Sequence, residues 1–184
     1  MIFNKAKEKI YDIANNTEFE NIIEDLVCNP TVQEMNNYIQ HCDTSCFEHC
    51  KNVAYYSYLI CKKFNLDYTS AARGGMLHDL FLYNWRKSQR TLKLDGWHAF
   101  VHPKIALMNS LQLFNLNDIE KDIILKHMWP LTVRFPKYKE SYIITLVDKF
   151  CAIKESINYL EKKDMFTYMY RYSSVLLAML VLNI

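Results

Sequence analysis

Glycine is scarce in this chain. The sequence contains three glycines among 184 residues, whereas glycine makes up roughly 7% of an average protein. So few glycines exclude a Rossmann fingerprint and a phosphate-binding P-loop, because both need several glycines at fixed spacings. They also leave few residues for the tight turns of a β-sandwich. The scarcity of glycine therefore favours helices.

The chain also lacks a strong excess of charge of one sign and a long apolar run. Its net charge of +2 is too small for a dedicated nucleic-acid binder. The most apolar stretch, 173–184, is well short of the roughly 20 residues that a membrane span requires, and we interpret it as a buried terminal helix. We therefore expect neither a nucleic-acid nor a membrane partner.

The first residues do not have the pattern of a secretory signal peptide, because Lys5, Lys7 and Lys9 alternate with apolar residues. The sequence has six cysteines. Without a secretory signal we expect these cysteines to be reduced thiols rather than a disulfide scaffold. The expected location is cytoplasmic.

Apolar residues recur at spacings of three and four almost throughout, which is the signal of amphipathic helices. With 51% hydrophobic and 23% charged residues, the composition is that of a globular protein and excludes a disordered chain. We predict an all-α fold: a single bundle of about eight or nine helices. We divide it into an N-terminal helical extension (1–40), a central domain (41–163) and a C-terminal helix of the same domain (164–184).

Local signals place the individual helices. Ser45 and Glu48 form a capping box, Pro103 suits the first residue of a helix, and Asn117 or Asp118 caps the next one. The polar segment 85–100 is the one plausible long loop, and such loops are usually functional. The predicted helices are 3–14, 18–27, 31–40, 46–64, 68–84, 103–114, 118–127, 141–163 and 165–184.

Two aspartates lie in strongly apolar helical stretches. Asp79 follows His78 in the stretch 74–82, and Asp148 lies within 142–150. A buried carboxylate is costly unless it is paired or bound to a cation. Because several histidines also fall outside any surface pattern, we expect a shared divalent metal in the core of the bundle, where helical proteins build such sites. Imidazole and carboxylate ligands suit Zn, Fe, Mn or Co better than Mg or Ca alone.

The order of these residues resembles that of the HD-domain superfamily of metal-dependent phosphohydrolases, over about residues 40–155. The resemblance is carried by a first histidine, the His–Asp doublet, two further histidines and a closing aspartate: His49, His78, Asp79, His102, His127 and Asp148. It implies that one ion takes the first histidine, the doublet and the closing aspartate. A second ion would share Asp79 with the two further histidines, with a hydroxide bridging the ions.

The resemblance implies hydrolysis of a phosphoester or phosphoanhydride bond in a small, nucleotide-like substrate through this hydroxide. The implied cofactors are two divalent ions, Fe or Mn, with Zn, Co or Mg as alternatives. Cationic side chains near the mouth would neutralise phosphate oxygens; the candidates are Lys104, Lys126, Arg86, Arg134 and Lys149. The predicted catalytic residues are Asp79, His98, Lys104 and Lys126.

Two features of the sequence narrow the range of phosphohydrolase activities that the resemblance implies. The chain lacks the glycine after the His–Asp doublet and the Gly-Tyr-Pro motif of cyclic-dinucleotide phosphodiesterases, which argues against that activity. His102 and His127 favour the dinuclear branch, whose members include symmetrical diadenosine-polyphosphate hydrolases. Two alternatives remain: a nucleotide-binding regulatory module with little turnover, and a di-iron oxygenase on the same scaffold. The substrate, the native metal and the oligomeric state stay open.

Several nearby residues have two interpretations. His98, four residues before His102, is either a substrate-contacting group or a support for a metal ligand, whereas we interpret His41 as structural. Tyr83 and Trp85 either stack on a base or belong to the core, and we favour the core.

Three cysteines, Cys42, Cys46 and Cys50, have a four-residue spacing that suggests a zinc site. Structural zinc sites draw pairs of ligands from two separate segments, and no second pair follows. We therefore interpret these cysteines as small buried hydrophobic residues.

Overall fold

The computed structural model describes residues 16–85 and 98–182, with side chains up to Met165 and at Thr167. In these residues it contains seven α-helices, a short 3₁₀-helix and a two-stranded hairpin. The predicted helix 3–14, the candidate Arg86 and most of the predicted loop 85–100 lie outside the described residues. The described chain is therefore mostly helical, with a small sheet that the all-α prediction did not include.

In chain order the elements are α1 (16–27), α2 (Pro30–Gln33), the 3₁₀-helix η1 (Glu34–Asn37), β1 (Ile39–His41), β2 (Thr44–Ser45), α3 (Cys46–Lys63), α4 (Tyr68–Leu77), α5 (His98–Leu113), α6 (Asp118–Lys126) and α7 (Lys139–Leu182).

The hairpin replaces the end of the predicted helix 31–40, which is wrong. Strands β1 and β2 are antiparallel, with Ile39 opposite Ser45 and His41 opposite Thr44. Cys42 allows the reversal by adopting a φ of 51°, in the left-handed region that few non-glycine residues occupy. The hairpin matters for the site because it brings β1 alongside the start of α3.

The predicted caps of α3 and α6 are confirmed. Ser45 Oγ accepts from Glu48 N at 3.1 Å, and Glu48 Oε2 accepts from Ser45 N at 3.4 Å. Of the two candidates for α6, Asn117 is the cap: its side chain accepts from Glu120 N at 2.9 Å, while Glu120 accepts from Asn117 N at 2.8 Å. Each pair satisfies two backbone donors that a helix start leaves unpaired.

Three other helix boundaries differ from the predictions. Helix α4 ends at Leu77 rather than near residue 84, because the backbone turns tightly there and Phe81 N donates to Asp79 O. Pro103 lies inside α5 rather than at its start. Helix α7 is one helix of 44 residues where two were predicted, and no glycine or proline lies within it to end it.

Helix α4 packs directly on two neighbours, and two adjacent glycines permit this. A Cβ atom on Gly75 would lie 2.8 Å from the Cα atom of Ala54 in α3, and one on Gly74 would lie 2.9 Å from the side chain of Ile123 in α6. Both distances are shorter than real Cβ contacts. The glycines therefore let α4 approach α3 and α6 closely, next to the residues that carry the predicted ligands.

The main hydrophobic core includes residues from α1 as well as from α3 and α4. Phe19, Ile23 and Leu26 of α1 are buried in the same cluster as Tyr58 and Leu77. A smaller cluster joins α3, α6 and α7. The domain boundaries at 40 and 163 stay predictions.

In the described part of the chain, no helix combines the length and the hydropathy that crossing a membrane requires.

Candidate metal centre

The six predicted ligands come from five helical segments and meet in the protein interior. Helix α3 supplies one histidine, the end of α4 the His–Asp doublet, α5 and the end of α6 one histidine each, and α7 the closing aspartate: His49, His78, Asp79, His102, His127 and Asp148. Five of these residues are at most 4% exposed, and the Asp148 side chain is 13% exposed. The structure thus brings together residues separated by up to 99 positions.

Three of the imidazoles are oriented in the same way. Nδ1 of His78 lies 2.7 Å from Gly75 O, Nδ1 of His102 lies 2.8 Å from His98 O, and Nδ1 of His127 lies 2.9 Å from Ile124 O. Because a carbonyl oxygen only accepts, each Nδ1 must carry the hydrogen. In the neutral ring, Nε2 then has a free lone pair, which is the state that binds a metal.

These lone pairs converge on one carboxylate. His102 Nε2 lies 2.9 Å from His127 Nε2, and the two atoms lie 3.2 and 3.4 Å from Asp79 Oδ1. The Nε2 atom of His78 lies 3.6 Å from Asp79 Oδ2. Both His78 Nε2 and Asp79 Oδ1 are buried without a hydrogen-bond donor among the described residues. Acceptors this close repel one another unless a proton or a metal cation lies between them.

His49 has a different environment. Its Nε2 atom lies 3.1 Å from Asp148 Oδ1, and its Nδ1 atom lies 3.0 Å from Glu155 Oε2. Burial alone would lower the pKa of His49, but these two hydrogen bonds outweigh it and hold the pKa well above its usual value. Both ring nitrogens of His49 therefore have carboxylate partners.

Glu155 is a functional candidate that the sequence analysis missed. It is buried, and it stands behind His49 as a carboxylate commonly stands behind a metal-binding histidine. One sequence signal could have found it: Glu155 lies seven residues after Asp148, two helical turns along the same face of α7.

Gln40 was missed as well. Its Nε2 atom donates to Asp79 Oδ2 at 2.5 Å, and the residue lies in β1, within the segment predicted to be a helix. The bond fixes the rotation of the Asp79 carboxylate and directs its other oxygen towards His102 and His127. Burial raises the pKa of Asp79, but the electrostatic effect of the neighbouring imidazoles, His78 first and then His102, outweighs burial and holds the pKa well below its usual value.

A cavity of about 350 Å³ opens onto this cluster. Its polar wall contains Gln40, His41, Asp79, His98, His102, His127 and Asp148, and its apolar wall contains Trp85, Ala99, Met128, Leu131 and Ala152. Lys149 also lines it and is the one lysine or arginine among the described residues that does so. Burial lowers the pKa of Lys149. The cavity therefore offers one cation and a largely apolar surface beside the predicted ligands.

The other predicted cationic residues that the structure describes lie outside the cavity. Lys104 and Arg134 are exposed and do not line the cavity. Lys126 forms an ion pair of 2.5 Å with Asp122. The structure does not bring Lys104 or Lys126 to the cavity, and their catalytic roles stay predictions.

His98 lines the cavity and is held by aromatic neighbours. Its ring stacks on Trp85 at 5.3 Å and on His102 at 4.5 Å, and its Nδ1 atom lies 3.0 Å from Tyr83 Oη. Burial, with a smaller contribution from His102, lowers the pKa of His98 to about 4. Burial also raises the pKa of Tyr83 to about 12. Both residues are therefore neutral near pH 7.

His41, which the sequence analysis interpreted as structural, also lines the cavity and forms a possible ligand group with His49 and Glu155. The cysteines behave largely as expected. Cys46 and Cys50 are buried in the core and, like the other four, are free thiols.

Comparison of the chain with protein-family models, with curated proteins and with solved structures gives no significant match. The protein is helical and contains buried histidine and aspartate groups that could hold metal ions, and this arrangement is compatible with an HD-type site.

Proposed function

We propose that this protein is an HD-type, metal-dependent phosphohydrolase that cleaves a phosphoester or phosphoanhydride bond of a small, nucleotide-like substrate. The observation that carries the proposal is the convergence of acceptors at Asp79: two imidazole lone pairs 2.9 Å apart face one carboxylate oxygen that has no donor among the described residues. A cation at this position would remove the repulsion. The cavity beside it has room for a small substrate.

The donor set fits two divalent ions that share Asp79. One ion would be held by His49, His78, Asp79 and Asp148, and the other by Asp79, His102 and His127. Nitrogen and carboxylate oxygen ligands favour Fe, Mn, Zn or Co. When bound, such ions supply Lewis acidity, lower the pKa of a water molecule and neutralise charge on a phosphoryl group.

The surrounding residues have separable roles in this proposal. Glu155 orients His49, and Gln40 orients Asp79, so that the ligands are preorganised. Lys149 lines the cavity, and in this proposal its ammonium group would neutralise a phosphate oxygen. The apolar wall, with Trp85 and Leu131, would cover the organic part of the substrate and keep water away from it.

The test begins with metal analysis of protein purified without chelator. Protein loaded with Mn²⁺ under anaerobic conditions is then assayed with p-nitrophenyl phosphate, nucleotides and dinucleoside polyphosphates. We expect phosphate release by the wild type and none by Asp79→Asn, with Asp118→Asn as a control at an exposed carboxylate.

Three outcomes contradict the proposal. Protein that takes up no Mn²⁺ or Fe²⁺ has no metal centre of this kind. Tight nucleotide binding without turnover favours the regulatory module, and oxygen consumption that needs Fe²⁺ favours the oxygenase.

A further inference from the structure

Tyr83 forms a hydrogen bond with His98 and is not one of the six predicted ligands. It lies four residues after Asp79, in the segment that follows α4, and its hydroxyl is 3.0 Å from His98 Nδ1. It contacts the His98 ring edge to face, with the ring centroids 5.6 Å apart. The same ring is stacked on Trp85 and on His102 and contacts Phe81 edge to face at 4.9 Å. These contacts restrict the rotation of the imidazole.

The polarity of the Tyr83–His98 bond decides which ring nitrogen carries the hydrogen. A phenol is a stronger acid than a neutral imidazole N–H, and an imidazole lone pair is a stronger acceptor than a phenol oxygen. The favoured arrangement is therefore O–H···Nδ1, with Tyr83 donating. The hydrogen of the neutral imidazole must then be on Nε2, on the far side of the ring.

This tautomer is opposite to that of the predicted ligands. His78, His102 and His127 each carry the hydrogen on Nδ1 and turn the Nε2 lone pair towards Asp79. His98 lines the same cavity, but with Nδ1 occupied by Tyr83 it offers an N–H group. An N–H beside a group of acceptors is suited to hold an anionic oxygen that those acceptors would repel.

We propose that Tyr83 is a positioning residue: its hydroxyl fixes His98 as the Nε2–H tautomer, and His98 thereby donates a hydrogen bond to a phosphate oxygen of the substrate. The second half of this inference rests on the proposed phosphohydrolase function, whereas the tautomer of His98 does not. His98 acts here as a donor of fixed polarity rather than as a base.

The first experiment reads the tautomer directly. Protein labelled with ¹⁵N-histidine and loaded with Zn²⁺, which is diamagnetic, is examined by long-range ¹H–¹⁵N correlation spectra. The signals that are absent from the spectrum of His98→Gln are assigned to His98. We expect a protonated Nε2 and an unprotonated Nδ1 in the wild type. In Tyr83→Phe we expect a mixture of the two tautomers, and in the control Tyr142→Phe we expect no change. A His98 that carries its hydrogen on Nδ1 in the wild type overturns the proposal, whatever the activity of the enzyme.

The second experiment measures the binding of inorganic phosphate to the Zn²⁺-loaded protein by calorimetry. Loss of one hydrogen bond to an anion weakens binding by about tenfold, so we expect this loss in His98→Gln. In Tyr83→Phe we expect a smaller loss, in proportion to the fraction of His98 that leaves the Nε2–H tautomer. Because both act through one bond, the double variant should be no weaker than His98→Gln. Additive losses, or unchanged binding in Tyr83→Phe, overturn the positioning role.

The two proposals fail in different ways. Absence of phosphate binding and of phosphate release by the wild type contradicts the phosphohydrolase function and the donor role of His98. The tautomer spectra still decide whether Tyr83 positions the ring.

Discussion

The two halves of the candidate centre differ in how they manage charge without metal. In the half on α7, both nitrogens of His49 face carboxylates, those of Asp148 and Glu155. In the half between α5 and α6, the Nε2 atoms of His102 and His127 face each other and Asp79, and the described part of the chain supplies Asp79 Oδ1 with no donor. In the first half, His49 can donate a hydrogen bond to each carboxylate, whereas the second half needs a proton or a cation between its acceptors. We therefore expect metal to stabilise the half between α5 and α6 more than the half on α7.

The largest effect is expected at Asp79, because it belongs to both halves. Asp79→Asn removes the charge that both ions would share, and we expect both ions to be lost while the helical fold persists. Metal content by plasma mass spectrometry and helicity by circular dichroism measure this. An Asp79→Asn protein that keeps either ion at wild-type occupancy would show that Asp79 is not shared.

Asp148→Asn and His102→Gln compare the two halves directly in the presence of chelator. Removing a buried charge would by itself do no harm, but the Asp148 carboxylate is the partner of His49. We therefore expect Asp148→Asn to lower the melting temperature by about 5 °C. His102→Gln places an amide donor among the acceptors and should not lower the melting temperature.

Thermal melts of both variants in chelator decide the matter. Equal losses in the two variants would contradict the proposed difference between the halves. On addition of metal, His102→Gln should bind one ion and lose the other.

Glu155→Gln is a milder change in the half on α7 and tests whether the carboxylate beside His49 supports metal binding. The glutamine keeps the shape of the side chain but loses the charge that faces His49 Nδ1. Losing such a partner typically costs about 10- to 100-fold in metal affinity, and we expect the α7 half alone to be affected. Competition with a fluorescent Zn²⁺ chelator measures the affinity, with the exposed Glu161→Gln on the same helix as control. Wild-type affinity in Glu155→Gln would mean that Glu155 does not support the site.

The smallest effect concerns Asp122, which links the helix before His127 to the start of α7. Its Oδ2 atom accepts from Lys137 N at 2.8 Å and from Ser141 Oγ at 2.7 Å. Burial raises the pKa of Asp122, but its hydrogen bonds, that with Lys126 first, lower it below the usual value. A lowered pKa means that the stabilisation is present above the unfolded-state pKa and is lost as the pH falls through the folded-state pKa.

We therefore expect Asp122→Asn to lower the free energy of unfolding at pH 7 by about 1–2 kcal/mol, and the difference from wild type to shrink below about pH 4. Urea unfolding in chelator at several pH values measures it. The exposed Asp118→Asn should show no such difference. A pH-independent difference would point to packing rather than charge.

Local signals predicted much of the fold, and long-range contacts explain most of what they missed. The caps at Ser45 and Asn117 depend on residues three positions apart, so the sequence displays them. The hairpin at 39–45 replaces a predicted helix because strand pairing and the contact of Gln40 with Asp79, 39 residues away, override local preference.

The residues of the candidate site also divide into those that local sequence predicts and those that only long-range contacts show. Buried aspartates in apolar helices are visible in the sequence, because their cost requires a partner. Glu155 lies in a more polar stretch, and its partner His49 is 106 residues away, so the seven-residue spacing from Asp148 is the one signal that marks it in the sequence. The tautomers, which separate His98 from the predicted ligands, depend on contacts in three dimensions and leave no trace in composition.

Gly75 sets the spacing of the candidate centre. The helices that carry His49 and His78 are in contact at Gly75 and Ala54, where an added methyl group would meet backbone rather than a movable side chain. Alanine at 75 would act as a spacer that widens this end of the site by a few tenths of an ångström. That is on the order of the difference between zinc–nitrogen and calcium–oxygen bond lengths. If the centre holds metal as proposed, the close approach of the two backbones at Gly75 would help to determine which ionic radius it accepts, although Gly75 has no side chain to bind an ion.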